Sequence, residues 1–311
     1  MSLMTPRPFV HDAFLYGSDE EYITRTTAFI TEGLDAGEPV LVAVPPSRLE
    51  LIEPNFARVA SDELHFVRMD QMGRNPAWII PAWADFADPF VAEGRPARGI
   101  GEPIWSERTP DQLVECERHE ALLNVAFADA FGFTLLCPYD TRVLPEVVID
   151  EAHRNHPTVS SVHGAEPSSA YWDAVPDWIG TPLPPAPAHA QVVHFGVDEL
   201  RMLRQRAAAA GHEVGLTAAR CDDAVLAVTE AATNCIRHGG GSGSMAMWIE
   251  AGALIFEFRD KGRICDPLAG RRRPSTERFG GRGLWLMHQL CDLVQLRVLP
   301  DEQIVRLHLH A

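Results

Sequence analysis

The stretch that decides the fold of the second half of this chain is Glu230–Gly239, which reads EAATNCIRHG. The surrounding pattern predicts a long helix over 217–238. Glu230, Asn234 and His238 recur at intervals of four residues, so they share one face of that helix. Asn234 can offer an oxygen to Mg²⁺, and Glu230 can accept a proton from an attacking hydroxyl group or water. Taken alone, the row is more often an ordinary polar helix face.

Two further motifs follow this helix in order. The run DKG at 260–262 comes directly after a predicted strand, where Asp260 can accept a hydrogen bond from a base amine and Gly262 lets a flat base approach the backbone. The run GGRGL at 280–284 comes directly before a predicted helix, where backbone N–H groups and the helix dipole favour an anion. Each run alone is weak, because such residues are common in turns. The chain has no G-x-x-x-x-G-K-[ST] sequence, which excludes a standard P-loop.

The order and spacing of the three motifs resemble those of the GHKL ATP-binding fold. Residues 191–311 are similar to the anti-sigma-factor serine/threonine kinases of that superfamily, the RsbW-like type. The resemblance implies a two-layer α/β sandwich with a mixed sheet, ATP and Mg²⁺ as cofactors, Glu230 as the catalytic residue and Asn234 as the Mg²⁺ ligand. It places these residues at the nucleotide: Asn234, His238, Asp260, Gly262, Gly281, Arg282, Gly283 and Leu284.

One departure from the family pattern concerns the run after Asp260. Members of the family often read D-x-G-x-G-F, whereas this chain reads DKGRIC and lacks the second glycine. The resemblance implies an ATP lid at Pro267–Phe279, with Asp266 at its start. The three arginines 271–273 fall inside this lid, where they could meet phosphates, meet an acidic partner, or form a solvated basic loop. The missing glycine favours an altered lid and a lower affinity for nucleotide.

The first half alternates strand and helix signals. Apolar runs such as Val40–Val44 are typical of strands buried on both faces, and Ser18 or Asp19 is expected to cap a helix. Alternation of this kind predicts a three-layer α/β domain with a mainly parallel sheet. Residues 11–171 resemble the MEDS (DcmR-like) sensory domain, which is related to the KaiC/RecA-like fold. The matching stretches include RGIGEPIW, ECERHEALLN and LLCPYD.

The loop at 17–20 lies where relatives of that fold carry a phosphate loop. It lacks the lysine, and Asp19 and Glu20 would repel a triphosphate, so we expect no ATP hydrolysis in this half. A pocket for an unidentified small molecule or signal is consistent with the resemblance. The polar and aromatic residues of the matching stretches, which either sense a ligand or hold the fold, are Glu102, Trp105, Glu120, Cys137 and Tyr139.

Two histidine patterns in the first half have weaker interpretations. His153 and His156 are spaced as in a metal site, but no second pair of ligands accompanies them, which disfavours a metal. His119 and Glu120 resemble the start of a histidine-kinase phosphoacceptor box, although about 110 residues and a linker separate them from the ATP-binding motifs. The six cysteines form no CxxC pair, so we expect reduced thiols and no cysteine-based zinc site.

Composition and local patterns limit the domain boundaries, the partners and the location that we expect for the 311 residues. The stretch 173–190 holds five prolines and predicts a linker between a sensory domain at 1–172, without a P-loop, and a kinase domain at 191–311. Residues 1–190 carry 12 arginines against 29 acidic residues, which argues against a direct nucleic-acid partner. The chain shows no apolar run long enough for a membrane span and no signal peptide, so we expect a cytoplasmic protein.

Together, the two resemblances imply a sensor-coupled anti-sigma regulatory factor. The resemblance implies that the second domain phosphorylates Ser or Thr of an anti-anti-sigma (STAS-type) protein and sequesters a sigma factor, in transcription regulation and the stress response. It also implies a homodimer, which composition does not demand. The alternative is a non-catalytic module that binds nucleotide or sequesters partners. A third hypothesis, an autophosphorylating histidine kinase, rests on His119 alone.

Overall fold

The computed structural model describes residues 8–59, 63–130, 132–172, 182–274 and 281–311. The chain divides into two compact units, Met1–Val175 and Pro176–Ala311. The elements of the first unit are β1 (Val10–Tyr16), α1 (Asp19–Asp35), β2 (Val40–Val44), α2 (Pro46–Ile52), β3 (Leu64–Arg68), α3 (Met69–Met72), α4 (Ile79–Ala92), β4 (Ala97–Gly101), α5 (Pro110–Ala126), β5 (Phe133–Asp140), α6 (Glu146–Asn155), β6 (Thr158–Ser161) and β7 (Gly164–Pro167).

The strands of the first unit form one sheet in the order β3-β2-β4-β5-β1-β6-β7. Its described pairings are parallel except that of β6 with β7, which is antiparallel. One face packs against α1 and α2, where Tyr22 and Leu49 share a buried cluster with Val42. The other face packs against α4, since a Cβ at Gly99 would lie 2.7 Å from the Trp83 ring. The three-layer α/β fold predicted for this half is therefore confirmed.

Local sequence explains where α1 begins. Ser18 is its N-cap, with an extended backbone, and its side-chain oxygen accepts a hydrogen bond from the Glu21 N–H at 3.1 Å. This satisfies one of the N–H groups that a helix start leaves unpaired. The helix α5 ends at Ala126, and the sequence analysis did not identify α4 or β4.

The second unit contains a two-layer arrangement of helices on a sheet. Its elements are β8 (Gln191–Phe195), α7 (Leu200–Glu213), α8 (Ala218–His238), β9 (Gly243–Glu250), β10 (Ala253–Asp260), α9 (Arg282–Leu290), β11 (Leu293–Val298) and β12 (Gln303–His310). The strand order is β11-β12-β10-β9-β8.

The α/β sandwich predicted for this unit is confirmed, but the mixed sheet was wrong, because all its described pairings are antiparallel. The physical reason lies in the connection from β8 to β9. Two helices in succession, α7 and α8, pack against each other. Helices joined by a short loop run antiparallel, so they return the chain to the end at which β8 finished. The next strand, β9, must then run opposite to β8.

The inner face of α8 is built from small side chains. Ala224, Ala227, Val228 and Ala231 are buried against the sheet, which lets the helix approach it closely. Leu226, although apolar, is 40% exposed. It lies off the buried stripe because helical periodicity places positions 224, 227, 228 and 231 on one face.

The predicted linker is partly a structural element of the second unit. Residues 173–181 lie outside the described residues. Ala186 and Ala190 pack against Trp248 and Ile255, on the face of the sheet that points away from the helices. Arg306 donates a hydrogen bond to the Pro184 carbonyl and so holds this segment to β12. None of the described helices combines the length and the hydropathy that crossing a bilayer requires.

The contact between Trp83 and the sheet predicts a large contribution to stability. Trp83 is 1% exposed and its ring lies 6.0 Å from the ring of Phe133. Trp83→Ala should lower the free energy of unfolding by about 3–5 kcal/mol, because it opens a cavity beside β4. Trp172→Ala, at a side chain that is 56% exposed, is the control and should change it by less than about 0.5 kcal/mol. Urea unfolding followed by circular dichroism measures both; equal losses would contradict this packing.

Candidate functional site

The row of polar residues on α8 lines a cavity of about 680 Å³ together with the start of α9. Seven of the nine predicted site residues are among its lining residues. The full lining, which we call the α8–α9 cavity, is Glu230, Thr233, Asn234, Arg237, His238, Arg263, Ile264, Gly281, Arg282, Gly283, Leu284 and Gln303. The structure therefore brings together two predicted motifs that lie some 50 residues apart in sequence.

The start of α9 is open toward this cavity. Gly281 is its N-cap with φ of 77°, a left-handed conformation that favours glycine, and this residue has no side chain with which to cap the helix. A Cβ at Gly283 would lie 2.9 Å from Glu230 Oε2 and 3.1 Å from Asn234 Nδ2. The absence of a side chain at Gly283 thus lets the helix N-terminus contact the α8 row. Unpaired N–H groups and the helix dipole at such a position favour an anion.

The charges around the cavity suit a polyphosphate. Three arginines, Arg237, Arg263 and Arg282, and one carboxylate, Glu230, are among the lining residues. Guanidinium groups form charge-assisted hydrogen bonds to phosphate oxygens, often in pairs. Asn234 adds an amide oxygen of the kind that Mg²⁺ accepts beside phosphate oxygens. The residues present therefore fit a magnesium–nucleotide complex.

Sequence reasoning missed five of the lining residues. Thr233 and Arg237 lie three positions after Glu230 and Asn234, so helical periodicity alone could have identified them. Arg263 and Ile264 follow directly after the DKG motif. Gln303 is on β12, and no local pattern in the sequence connects it with α8.

Asp260 and Gly262 are not among the lining residues of the α8–α9 cavity. Asp260 is 7% exposed and lines a neighbouring cavity of about 690 Å³, and its Oδ1 accepts a hydrogen bond of 2.5 Å from the Gly262 N–H. A Cβ at Gly262 would lie 3.0 Å from the His238 carbonyl oxygen, so this glycine packs on the end of α8. Both residues adjoin the cavity at His238 without lining it.

The run that lacks the second glycine is held by a side chain. The Ile264 N–H donates a hydrogen bond of 2.9 Å to Gln303 Oε1. Among the described residues other than glycine, a positive φ occurs at Ala251. Position 264 therefore needs no glycine in this backbone conformation. The sequence analysis expected the missing glycine to lower the affinity for nucleotide. In the structure, Gln303 supports the backbone at position 264 through this hydrogen bond.

The predicted lid is described in part. Residues 275–280, which include Phe279 and Gly280, lie outside the described residues. In the described part, Asp266 Oδ1 accepts a hydrogen bond of 2.9 Å from the Leu268 N–H. Arg271 is 2% exposed, so the interpretation of 271–273 as a solvated loop is wrong for this residue; Arg272 and Arg273 are exposed.

The loop after β1 in the first unit uses its own side chains as partners. The Gly17 N–H donates a hydrogen bond of 2.6 Å to Glu21 Oε2, in the place where a phosphate loop would present backbone N–H groups. Arg48 and Arg142 lie 2.9 and 2.8 Å from Asp19 Oδ1, and these hydrogen bonds, that from Arg142 first, hold the pKa of Asp19 below its usual range. The charge of Asp19 is therefore balanced by two arginines, and the bonded Gly17 N–H is a second reason, beside the missing lysine, to expect no triphosphate here.

A buried carboxyl group lies beside this loop. Glu102 is 3% exposed and accepts hydrogen bonds from the Tyr16 and Tyr22 hydroxyls at 3.2 and 3.1 Å. Arg48 lies 3.8 Å from Glu102 Oε1 and 2.7 Å from Asp140 Oδ2. Burial raises the pKa of Glu102 to about 8, and the lowering effect of Arg48 does not offset it. We call Tyr16, Tyr22, Arg48, Glu102 and Asp140 the carboxyl-edge cluster.

In the structure, the polar and aromatic residues singled out in the MEDS-like stretches lie at different places in the domain. Trp105 stacks with Arg108, whose guanidinium carbon lies 3.8 Å from the ring centre. Glu120 and Cys137 lie together on the opposite face of the sheet from Glu102, and Tyr139 contacts the ring of His156. His119 is 1% exposed, which disfavours it as a phosphoacceptor, since such a histidine must reach a bound nucleotide.

Comparison with known families agrees with the division into two units. Residues 10–157 match the family described as MEthanogen/methylotroph, DcmR Sensory domain (MEDS), and residues 195–309 match the histidine kinase-like ATPase domain. The chain thus combines a MEDS sensory domain with a histidine kinase-like ATPase domain, as the sequence resemblance predicted.

One solved structure similar to this chain contains the RsbU and RsbW domains of a Mycobacterium tuberculosis protein. The two share 15% sequence identity with a TM-score of 0.29, and the match covers 39% of this chain and 32% of that one. This chain therefore corresponds to about a third of that structure. No curated protein matched the sequence.

Burial of Glu102 predicts a pH dependence of stability. Its pKa is about 8 in the folded chain against an ordinary value of 4.5, so between these values the folded state keeps a proton that the unfolded state has lost. This contribution to the free energy of unfolding therefore falls as pH rises, by at most about 1.4 kcal/mol per pH unit. Urea unfolding between pH 5 and pH 8 should show a smaller fall for Glu102→Gln than for the wild type. Glu107→Gln, at an exposed position, is the control; the same fall in Glu102→Gln and wild type would contradict the assignment.

Proposed function

We propose that the ATPase domain binds Mg-ATP in the α8–α9 cavity and transfers the γ-phosphoryl group to Ser or Thr of a protein. The observation that supports this most directly is the packing of the α9 N-terminus against Glu230 and Asn234, with three arginines around the same cavity. Phosphoryl transfer depends mainly on positioning and charge stabilisation, and this constellation supplies both.

Each residue of the cavity has a role in this proposal. The N–H groups at Gly281–Leu284, with Arg282, would hold the phosphates, and His238 would lie near them. Asn234 would hold Mg²⁺, which when bound neutralises phosphate charge. Asp260 and Gly262, at the end of α8, would bind the adenine amine and the face of the base. Because some 50 residues separate the two motifs in the sequence, the pocket forms only when the chain folds.

Glu230 is the proposed general base. A Ser or Thr hydroxyl gives its proton to the Glu230 carboxylate as its oxygen forms a bond to the γ-phosphorus. The bond between that phosphorus and the bridging oxygen breaks, and ADP leaves with the bonding electrons. A carboxylate in the lining of a cavity that also holds three arginines is suited to this step, since a base must reach both the hydroxyl and the phosphate.

We propose further that the chain is a sensor-coupled anti-sigma regulatory factor. The acceptor would be an anti-anti-sigma (STAS-type) protein and the sequestered partner a sigma factor, with the MEDS domain receiving an unidentified signal. We place the functional boundaries at 1–172 and 191–311, in a cytoplasmic protein that forms a homodimer and has no direct nucleic-acid partner. The acidic character of residues 1–190 supports the last point.

The first prediction of this proposal concerns nucleotide binding. Calorimetric titration of Mg-ATP into the full chain should give one site per chain, because the loop after β1 is occupied by Glu21. Asn234→Ala should weaken binding about tenfold or more, since it removes an oxygen ligand next to the phosphates. Asp222→Asn, an exposed change on the same helix, should bind as the wild type does. A folded wild-type chain that binds no Mg-ATP would remove the proposal.

The second prediction separates binding from transfer. Glu230→Gln should keep Mg-ATP binding and lower the rate of phosphoryl transfer to a purified STAS-type protein by about 10²–10⁴-fold, because the general base is lost. Transfer is measured with labelled ATP, and the product should carry acid-stable phosphate on the STAS-type protein. Undiminished transfer by Glu230→Gln would exclude this role for Glu230.

The non-catalytic module remains the second candidate, because the run after Gly262 lacks the second glycine of the family pattern. Mg-ATP binding without transfer to any STAS-type protein tested would favour it. Acid-labile phosphate on the chain itself would favour a histidine kinase, against the burial of His119.

A further inference from the structure

Four side chains with metal-binding chemistry meet inside the MEDS domain. His11 is on β1, Glu120 on α5 and Cys137 on β5, and His156 follows α6. One ligand atom from each lies within 4.8 Å of all the others, and the four residues are at most 2% exposed. We call these residues the four-donor cluster. It lies in the other domain from the α8–α9 cavity and has no part in the function proposed above.

Hydrogen bonding decides which nitrogen of His156 faces the cluster. Its Nδ1 lies 2.8 Å from the Ala152 carbonyl oxygen, an acceptor, so Nδ1 carries the proton. In a neutral ring, the form that binds a metal, the lone pair is then on Nε2, 3.3 Å from Glu120 Oε2. No hydrogen-bond partner for this Nε2 lies in the described part of the chain. A ring held by an Nδ1–H bond to a backbone carbonyl is the usual arrangement of a metal-bound histidine.

The same reasoning applies to His11. Asn124 Nδ2 donates a hydrogen bond of 2.7 Å to the Asn155 carbonyl, which turns the amide oxygen of Asn124 toward His11. That oxygen lies 3.1 Å from His11 Nδ1, so Nδ1 is again the protonated nitrogen. The lone pair of His11 Nε2 therefore points at Glu120 Oε2, 3.1 Å away.

These assignments place three lone pairs against one another, and the Cys137 thiol, 3.4 Å from His11 Nε2, is the one donor among the four residues. Two imidazole Nε2 atoms and a Glu120 oxygen converge, and Glu120 Oε1 also has no hydrogen-bond partner among the described residues. Cys137 Sγ completes the group at 3.4 Å from His11 Nε2. Buried acceptors that face each other are unfavourable unless a cation lies between them.

The donor set and its spacing select the class of cation. Two imidazole nitrogens, a thiol sulfur and a carboxylate oxygen suit a borderline divalent metal such as Zn²⁺, whereas Mg²⁺ and Ca²⁺ prefer oxygen alone. A tetrahedral site with bonds of 2.0–2.3 Å has donors about 3.3–3.8 Å apart. Three separations between donor atoms of the cluster, 3.1, 3.3 and 3.4 Å, are close to that range.

We propose that His11, Glu120, Cys137 and His156 bind one Zn²⁺-class ion in the interior of the MEDS domain. Binding releases the Cys137 thiol proton to solvent, and the thiolate and carboxylate then balance the charge of the divalent ion. The ion joins β1, α5, β5 and the end of α6.

The experiment uses the full, untagged chain. Elemental analysis of the protein, purified without chelator, should give about one zinc per chain. Exchange into Co²⁺ should produce the ultraviolet charge-transfer absorption of a cobalt–thiolate bond. This signal reports ligation by sulfur in the wild type and does not depend on a variant that must fold.

Matched variants locate the site. Cys137→Ser should abolish the cobalt–thiolate absorption and His156→Gln should lower the metal content, whereas Cys116→Ser, a buried thiol on α5, and His153→Gln, three residues before His156, should leave both unchanged. Added Zn²⁺ should also raise the melting temperature of the metal-free chain, because it binds the folded state.

Three results would overturn the proposal. A folded chain that takes up neither Zn²⁺ nor Co²⁺ would show that the cluster holds protons alone. Cobalt bound without thiolate absorption, or a signal lost equally in Cys116→Ser, would place the ion elsewhere.

Discussion

The ATPase domain depends on the contact of one glycine with two polar side chains. Because Gly283 has no side chain, the start of α9 reaches Glu230 and Asn234 directly. The contact brings a carboxylate, an amide oxygen and the N–H groups of a helix start to one place. A side chain at position 283 would keep the two helices apart. A carboxylate near a helix N-terminus is also stabilised by the dipole, so Glu230 helps to hold the geometry in which it would act.

In the MEDS domain, polar side chains lie at the carboxyl ends of the parallel strands. In parallel α/β sheets ligands usually bind beyond the carboxyl ends of the strands. Here that edge holds the carboxyl-edge cluster, in which Arg48 bridges Glu102 and Asp140. Charged side chains and tyrosine hydroxyls of the protein itself therefore fill part of this edge. The four-donor cluster lies on the opposite face, against α5.

The sequence predicted those features that depend on short-range periodicity. The interval of four on α8, the Ser18 cap and the apolar run at β2 follow from local rules, and each is present in the structure. Contacts between distant segments could not be predicted in this way. Gln303 supports Ile264 from another strand, and His156 was discounted because its partners, among them His11, lie far away in the chain.

The position of β1 has a consequence for how the protein is made. β1 lies between β5 and β6 in the interior of its sheet, yet it leaves the ribosome before either of them. His11 and Cys137 are 126 positions apart. At roughly 5–20 residues per second, β1 waits about 6–25 s for its neighbour. During synthesis, this apolar strand is therefore a ready binding site for chaperones, and its exposure ends only when most of the first domain has been translated.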